Sequence, residues 1–297
     1  MWTWATTWWS IVLMISVINL AIGIYIFIQS RKEKTSKMNY RKMMAITGLI
    51  FLSVAMYRSI FISRYLTQLA WFDSFLNSSL LIRSFAVFAE ISLAFLIMNG
   101  LLHFNKEFEI SEKFKNSTLL QFFINKAPRL LLILIIVAQP FAYGGLFFKL
   151  RILFAIEETL WGIGFLLIIP LVLIQVKMMF SLKDKSLKQS YVLYRMMTMI
   201  LALFSVGYVF YSLFYHLPIE YWPAAIEQVR MATPEPEITF SFQAIWDSLV
   251  VINPTRDYDA WGGMGFVIWQ TGYFTICGWI ALILMSGPRI LTNKKEA

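Results

Sequence analysis

The sequence predicts an all-α, polytopic transmembrane helix bundle of about seven spans, amino terminus outside and carboxyl terminus inside. Three observations carry this reading. Of the 297 residues, 59% are hydrophobic and only 14% charged, too little polar surface to coat a soluble globule of this length. The apolar residues are gathered into runs of about 20, the length a helix needs to cross the hydrocarbon core. Finally, nineteen of the 26 Lys and Arg fall in alternate connections and the carboxyl-terminal tail, against five in the opposite set. Basic loops are retained on the cytoplasmic side, so the chain reads as an integral protein of a plasma or inner membrane with those loops cytoplasmic. The same distribution disposes of nucleic acid as the meaning of the +9 net charge, because the charge is spread over short loops and forms no continuous face.

The first span, residues 8–29, is flanked by Trp2, Trp4, Trp8 and Trp9, an interfacial aromatic belt. It is followed by Arg31, Lys32, Lys34, Lys37, Arg41 and Lys42 and lacks the basic n-region of a cleaved signal. Span two, 43–62, carries Arg58 in its outer third and Arg64 at its outer boundary. Span three, 75–99, runs inward within the apolar stretch 71–103, which nevertheless holds Asp73, Arg83 and Glu90. A bilayer penalises each such group by about 2.5–3.5 kcal/mol on insertion scales. Arg83 and Glu90 stand two helical turns apart, about 10 Å along the axis and on nearly one side. Ser79, Ala86 and Ala94 share that side and let another helix come close, which makes this span the hub of the bundle.

Residues 104–129 are mixed in charge and suit a surface helix at the inner interface. Span four, 130–148, contains Gln139 and Pro140, where a kink is expected, followed by Gly144 and Gly145. Span five, 152–176, carries Glu157 and Glu158 within two turns of its outer end, and span six, 196–215, has Tyr208, Ser212 and Tyr215 along one side. An outer cap, 216–263, holds five of the nine prolines; within it 238–252 is apolar but too short for a span. Span seven, 264–285, stops at Ser286-Gly287-Pro288 before Arg289, Lys294 and Lys295. The whole of 1–297 therefore reads as one membrane domain, without internal repeat or soluble domain.

On this topology Arg58, Arg83, Glu157 and Glu158 all fall in the outer half of the bilayer, with Glu90 beneath them near the midplane. Charges collected at one level beneath a long outer loop point to an outward-facing pocket. There guanidinium groups hold a phosphate or carboxylate by paired hydrogen bonds, and a carboxyl orients them or moves a proton. Glu157 and Glu158 are about 100° apart on a helix and cannot both point the same way. Tyr208 lines the same level and His216 stands at the rim as a proton carrier. The ligand-binding candidates are thus Arg58, Arg83, Glu90, Glu157, Glu158, Tyr208 and His216. The opposing reading makes the same ions register locks between helices.

Several chemistries are disfavoured or absent. One cysteine, Cys277, and two histidines at the ends of different spans leave no metal, haem or other cofactor constellation, so no cofactor is expected. The last span has no lysine for a retinal Schiff base. The inner end of span three reads Leu102-His103-Phe104-Asn105 where G-protein-coupled receptors carry an acidic-Arg-aromatic triplet. Glu157-Glu158 resembles only the opening of the CAAX-type intramembrane protease signature: Gly162 stands where its arginine belongs, and Ser212 and Glu220 flank His216 at its partner spacings. The expectation is a multi-pass protein that binds an anionic or amphiphilic small molecule or lipid, in transport or transfer. The alternative is a non-catalytic subunit assembled with other membrane subunits. The bilayer is a partner in either case.

Overall fold

The structure, a computed structural model, describes residues 3–32, 38–65, 68–181, 188–231 and 242–287. Helix α1, Trp4–Lys32, shows why the chain belongs in lipid. Its buried positions, Ala5, Trp8, Val12, Ser16, Asn19 and Gly23, form one stripe at three- and four-residue spacing, and they are mostly small or polar. The large aliphatics point away from the protein: Met14 is 56% and Ile18 50% exposed. A water-soluble helix has the opposite arrangement.

Helix α2, Met38–Ile60, packs beside α1 and leads into a short antiparallel pair, β1 Ser63–Arg64 with β2 Leu69–Ala70. A 3-10 turn at Phe75–Asn77 follows, capped by the Ser74 side chain accepting from the Leu76 amide. This turn moves the start of the third span to Ser79, not residue 75. The Asn77 side chain closes the turn by donating to the Ile62 carbonyl at 2.6 Å and accepting from the Phe72 amide at 3.1 Å.

Helix α3, Ser79–Glu107, runs eight residues beyond the expected inner end. The connection that follows holds two short helices, α4 Ile110–Lys113 and α5 Thr118–Asn125, the latter capped by Ser117. Helix α6, Ala127–Phe148, continues through Pro140, and α7, Arg151–Ser181, through Pro170. Helix α8, Lys188–Val209, passes without a break into a π-helix at Phe210–Tyr221 and then into α9, Trp222–Met231.

Residues 216–231, expected in the outer cap, therefore continue the sixth helical path. The wider π turn accommodates Pro218, whose missing N–H would interrupt an α-helix, and Pro223 follows at the junction with α9, where its missing N–H removes one bond from an otherwise continuous path. Of the apolar segment 238–252, residues 238–241 lie outside the described residues. Most of the rest forms α10, Phe242–Val250, lying against α3 and α6. Strand β3, Asn253–Pro254, then pairs in parallel with β2.

The final span comprises α11, Gly263–Gly272, a π segment at Tyr273–Cys277 and α12, Gly278–Met285. Here too a neighbour answers the irregular turn. The Asn19 Nδ2 donates to the Phe274 carbonyl at 3.1 Å, and it comes this close because Gly278 has no side chain: a Cβ there would stand 2.5 Å from the Asn19 nitrogen.

Among the described residues, seven helical paths are long and apolar enough to cross a membrane. The chain is a multi-pass helix bundle. Each path packs on the next, α1 on α2, α2 on α3, α3 on α6, α6 on α7 and α7 on α8, and α12 closes the set against α1, α2, α3 and α8. At the end carrying the amino terminus, Trp8, Trp71, Trp261 and Phe266 form a continuous aromatic cluster beneath the small sheet.

Candidate functional site

The ions of the hub helix meet those of two neighbours. Arg83, 3% exposed, extends along α3 so that its two terminal nitrogens grip the Glu90 carboxylate, Nη1 to Oε1 at 3.1 Å and Nη2 to Oε2 at 3.3 Å. From α7, Glu157 Oε1 approaches Arg83 Nη2 at 2.9 Å. From α6, Gln139 Oε1 accepts from the same nitrogen at 2.7 Å, while its amide donates to Glu90 Oε2 at 3.1 Å and to the Ile135 carbonyl at 2.8 Å. One guanidinium, two carboxylates and an amide thus tie three helices together, with only the Arg83 Nε left without an acceptor. Buried ions of this kind persist where nearly every donor and acceptor is matched.

Glu158 lies outside that network. Turned about 100° from Glu157, it reaches the α8 path, where the Tyr208 hydroxyl donates to its Oε2 at 3.2 Å. Glu158 is half-buried, and no cation stands within ion-pair distance among the described residues. Tyr208 is in turn packed by Trp161, Phe165, Phe204 and Trp269.

Arg58 is the second ion without a counter-ion. It lies within electrostatic reach of Glu90 and Arg83, yet its direct partners are neutral. It donates to the Tyr65 hydroxyl at 3.1 Å, and its guanidinium carbon sits 4.7 Å from the centre of the Tyr273 ring, inside cation–π range. Tyr65 also faces Arg83, 5.9 Å from ring centre to guanidinium carbon, so one tyrosine joins the two arginines. Arg58, like Glu158, is half-buried.

Of the seven sequence candidates, Arg83, Glu90 and Glu157 are brought into direct contact, Arg58 and Glu158 with Tyr208 flank them, and His216 lies further along the π segment. There His216 Nδ1 is 3.3 Å from the Tyr211 hydroxyl and 3.1 Å from Glu220 Oε2. Asp73 is exposed at the bundle end and takes no part. Sequence reasoning missed the contributions of Gln139, Tyr65, Tyr273, Tyr211 and Trp269. Gln139 carried a signal, being a polar side chain in an apolar run. The aromatics carried none in a chain with this many rings. Among the described residues no three His, Cys, Asp or Glu side chains are grouped as metal ligands would be.

Outside the spans, Lys149 and Asp247 pair at 3.2 Å and fasten α10 to the end of α6. The Gln243 amide, and after it the Lys149 ammonium, hold the Asp247 carboxyl below its ordinary value. Arg256 lies 4.5 Å over the Trp71 ring and donates to the Trp71 carbonyl, which anchors the sheet to the aromatic cluster.

In comparisons with known proteins, no family model matches the chain, and no curated protein or solved structure matches it.

Proposed function

We propose that this multi-pass membrane protein binds an anionic or amphiphilic small molecule, lipids included, in a pocket between the helices on the side away from the basic loops, and transports or transfers it. The observation that supports this most is the state of Arg58. A guanidinium within the apolar thickness of a bilayer needs a counter-ion, and among the described residues Arg58 has only a phenol and a ring. Arg83 cannot serve in the same way, because Glu90, Glu157 and Gln139 occupy its terminal nitrogens. In this reading the anionic group belongs to Arg58, and the Arg83 network is the wall that holds α3, α6 and α7 in place around it. The basic loops are cytoplasmic and the pocket opens to the opposite side, in a plasma or inner membrane.

Native mass spectrometry of the gently solubilised chain with added phosphatidylglycerol tests the assignment. The wild type is expected to retain the anionic lipid through detergent stripping, and Arg58→Gln to lose it. Equal retention by both, or retention by neither, overturns the reading. A second reading, the structural subunit, draws support from the near-complete internal matching of the Arg83 network, which is what register locks require. It calls for a stoichiometric partner protein in the same spectra and an Arg58→Gln variant indistinguishable from wild type.

A further inference from the structure

Beyond Glu158 the polar side chains of the sixth helical path fall into two groups, Tyr208 with Ser212 and Tyr211 with His216 and Glu220, and Tyr211 is itself within electrostatic reach of Glu158. The Tyr208 hydroxyl donates to Glu158. Ser212 follows, its Oγ enclosed in the interior beside the Tyr208 hydroxyl but without a well-formed hydrogen bond. It faces Gly162, where an added Cβ would lie 3.1 Å from that oxygen, and Gly162 is one turn from Glu158 on the same side of α7. Next, the Tyr211 hydroxyl meets His216 Nδ1, and the same nitrogen meets Glu220 Oε2. The Glu220 side chain is 49% exposed, so the second group ends in contact with the surroundings. Every member after Glu158 comes from Tyr208–Tyr221, nearly all of it π-helical, a geometry that occurs often at functional sites. A buried hydroxyl without a settled partner is otherwise a net loss, and a transient partner in a hydrogen-bonded chain accounts for it.

We propose that Glu158, Tyr208, Ser212, Tyr211, His216 and Glu220 form a proton route between the charged interior and the water at the end of the bundle away from the basic loops. Protonated Glu158 passes its proton to the Tyr208 oxygen as that hydroxyl releases its own to Ser212. Ser212 hands one on to Tyr211 through intervening water. His216 Nδ1 accepts from Tyr211 and becomes imidazolium, and Glu220 Oε2 takes that proton and yields it to bulk water. Each hydroxyl and the imidazole end as they began, Glu158 is left as carboxylate, and the return passage reverses each step.

The groups that face the two ends set the electrostatics. Glu158 is within reach of Glu90 and Arg83 from α3 and of Tyr211 and Tyr221 from the π segment. His216 is faced by Tyr211, Glu220 and Tyr221, by Trp269 from α11 and at longer range by Arg64. No bound molecule is required, so the route stands or falls independently of the anion reading.

Infrared spectroscopy of the full chain in detergent reads it directly. The Glu158 carboxyl band is assigned by its loss in Glu158→Gln, and its shift on transfer to D2O gives the rate at which that proton exchanges. Tyr208→Phe and His216→Ala are expected to slow the shift roughly tenfold or more, while Thr159→Ala, beside Glu158 but off the route, exchanges like wild type. Where His216→Ala fails to fold, His216→Gln serves, since it keeps bulk and loses the titration. Unslowed exchange in both the Tyr208 and His216 variants overturns the route. So does equal slowing in Thr159→Ala, or the absence of any Glu158 band across about pH 5 to 8.

Discussion

The two arginines of the interior have the same chemistry and opposite circumstances. Arg83 →Met would leave Glu90 and Glu157 as neighbouring carboxylates in a dry setting without their cation, and breaking a buried pair from one side costs about 3–5 kcal/mol. The thermal midpoint in detergent should fall steeply. Glu157→Gln should lower it far less, because Glu90 keeps both of its contacts with Arg83. An Arg83→Met protein that melts with wild type would remove the network from the account of stability. Arg83 and Glu90 were legible in the sequence for the reason that makes them expensive: a charge stands out in an apolar run, and seven-residue spacing puts both on one side of a helix. Tyr65 and Tyr273, which hold Arg58, were not legible. An aromatic ring is at home in lipid, at the interface or in the core, and only the fold separates these cases.

Among the elements, the terminal pieces differ most from what periodicity implied. Hydropathy locates an apolar run but says little about where its helix stops. The third helix outlasts its run, reaching Glu107, and begins late because Ser74 and Asn77 build a turn before it. Prolines 218 and 223 signalled a break, yet the helical path continues through both, the first within a π segment and the second at its junction with α9. Helix α10 sits at the boundary of span and cap, and to its packing on α3 and α6 it adds an ionic tie. Because the Asp247 carboxyl titrates below its ordinary value in the fold, the tie to Lys149 and Gln243 is in force above the ordinary carboxylate range and fades as pH falls through the lowered value. Hydrogen exchange of residues 242–250 should therefore quicken on acidification, and Asp247→Asn should flatten that dependence. An α10 whose exchange ignores both changes would be held by its apolar face alone.

At the scale of the molecule, the seven-path bundle followed from composition and run length, while sidedness rests on where the Lys and Arg fall. Cys277, the single native thiol, is buried, so introduced cysteines report cleanly. A membrane-impermeant maleimide applied to intact cells should label Asp257→Cys and spare Lys113→Cys until the membrane is opened. The reverse pattern would invert the bundle and turn the proposed pocket toward the cytoplasm. The convergence of Arg83, Glu90 and Glu157 could be anticipated only as a shared depth, since sequence gives height along a helix but not which helices are neighbours. That α6 stands between α3 and α7, so that Gln139 bridges them, required the packing itself.

The grip of Arg83 on Glu90 lies within a single helix, and this bears on how the chain is made. Emerging from the ribosome, α3 already brings both signs of charge and can enter the bilayer as a self-neutralised rod, before α6 or α7 has been translated. Glu157 of helix α7, by contrast, finds its cation on a segment synthesised earlier. The third helix therefore acts as a docking post awaiting the later one, and a nascent chain cut short before Glu157 should still seat α3 in the membrane.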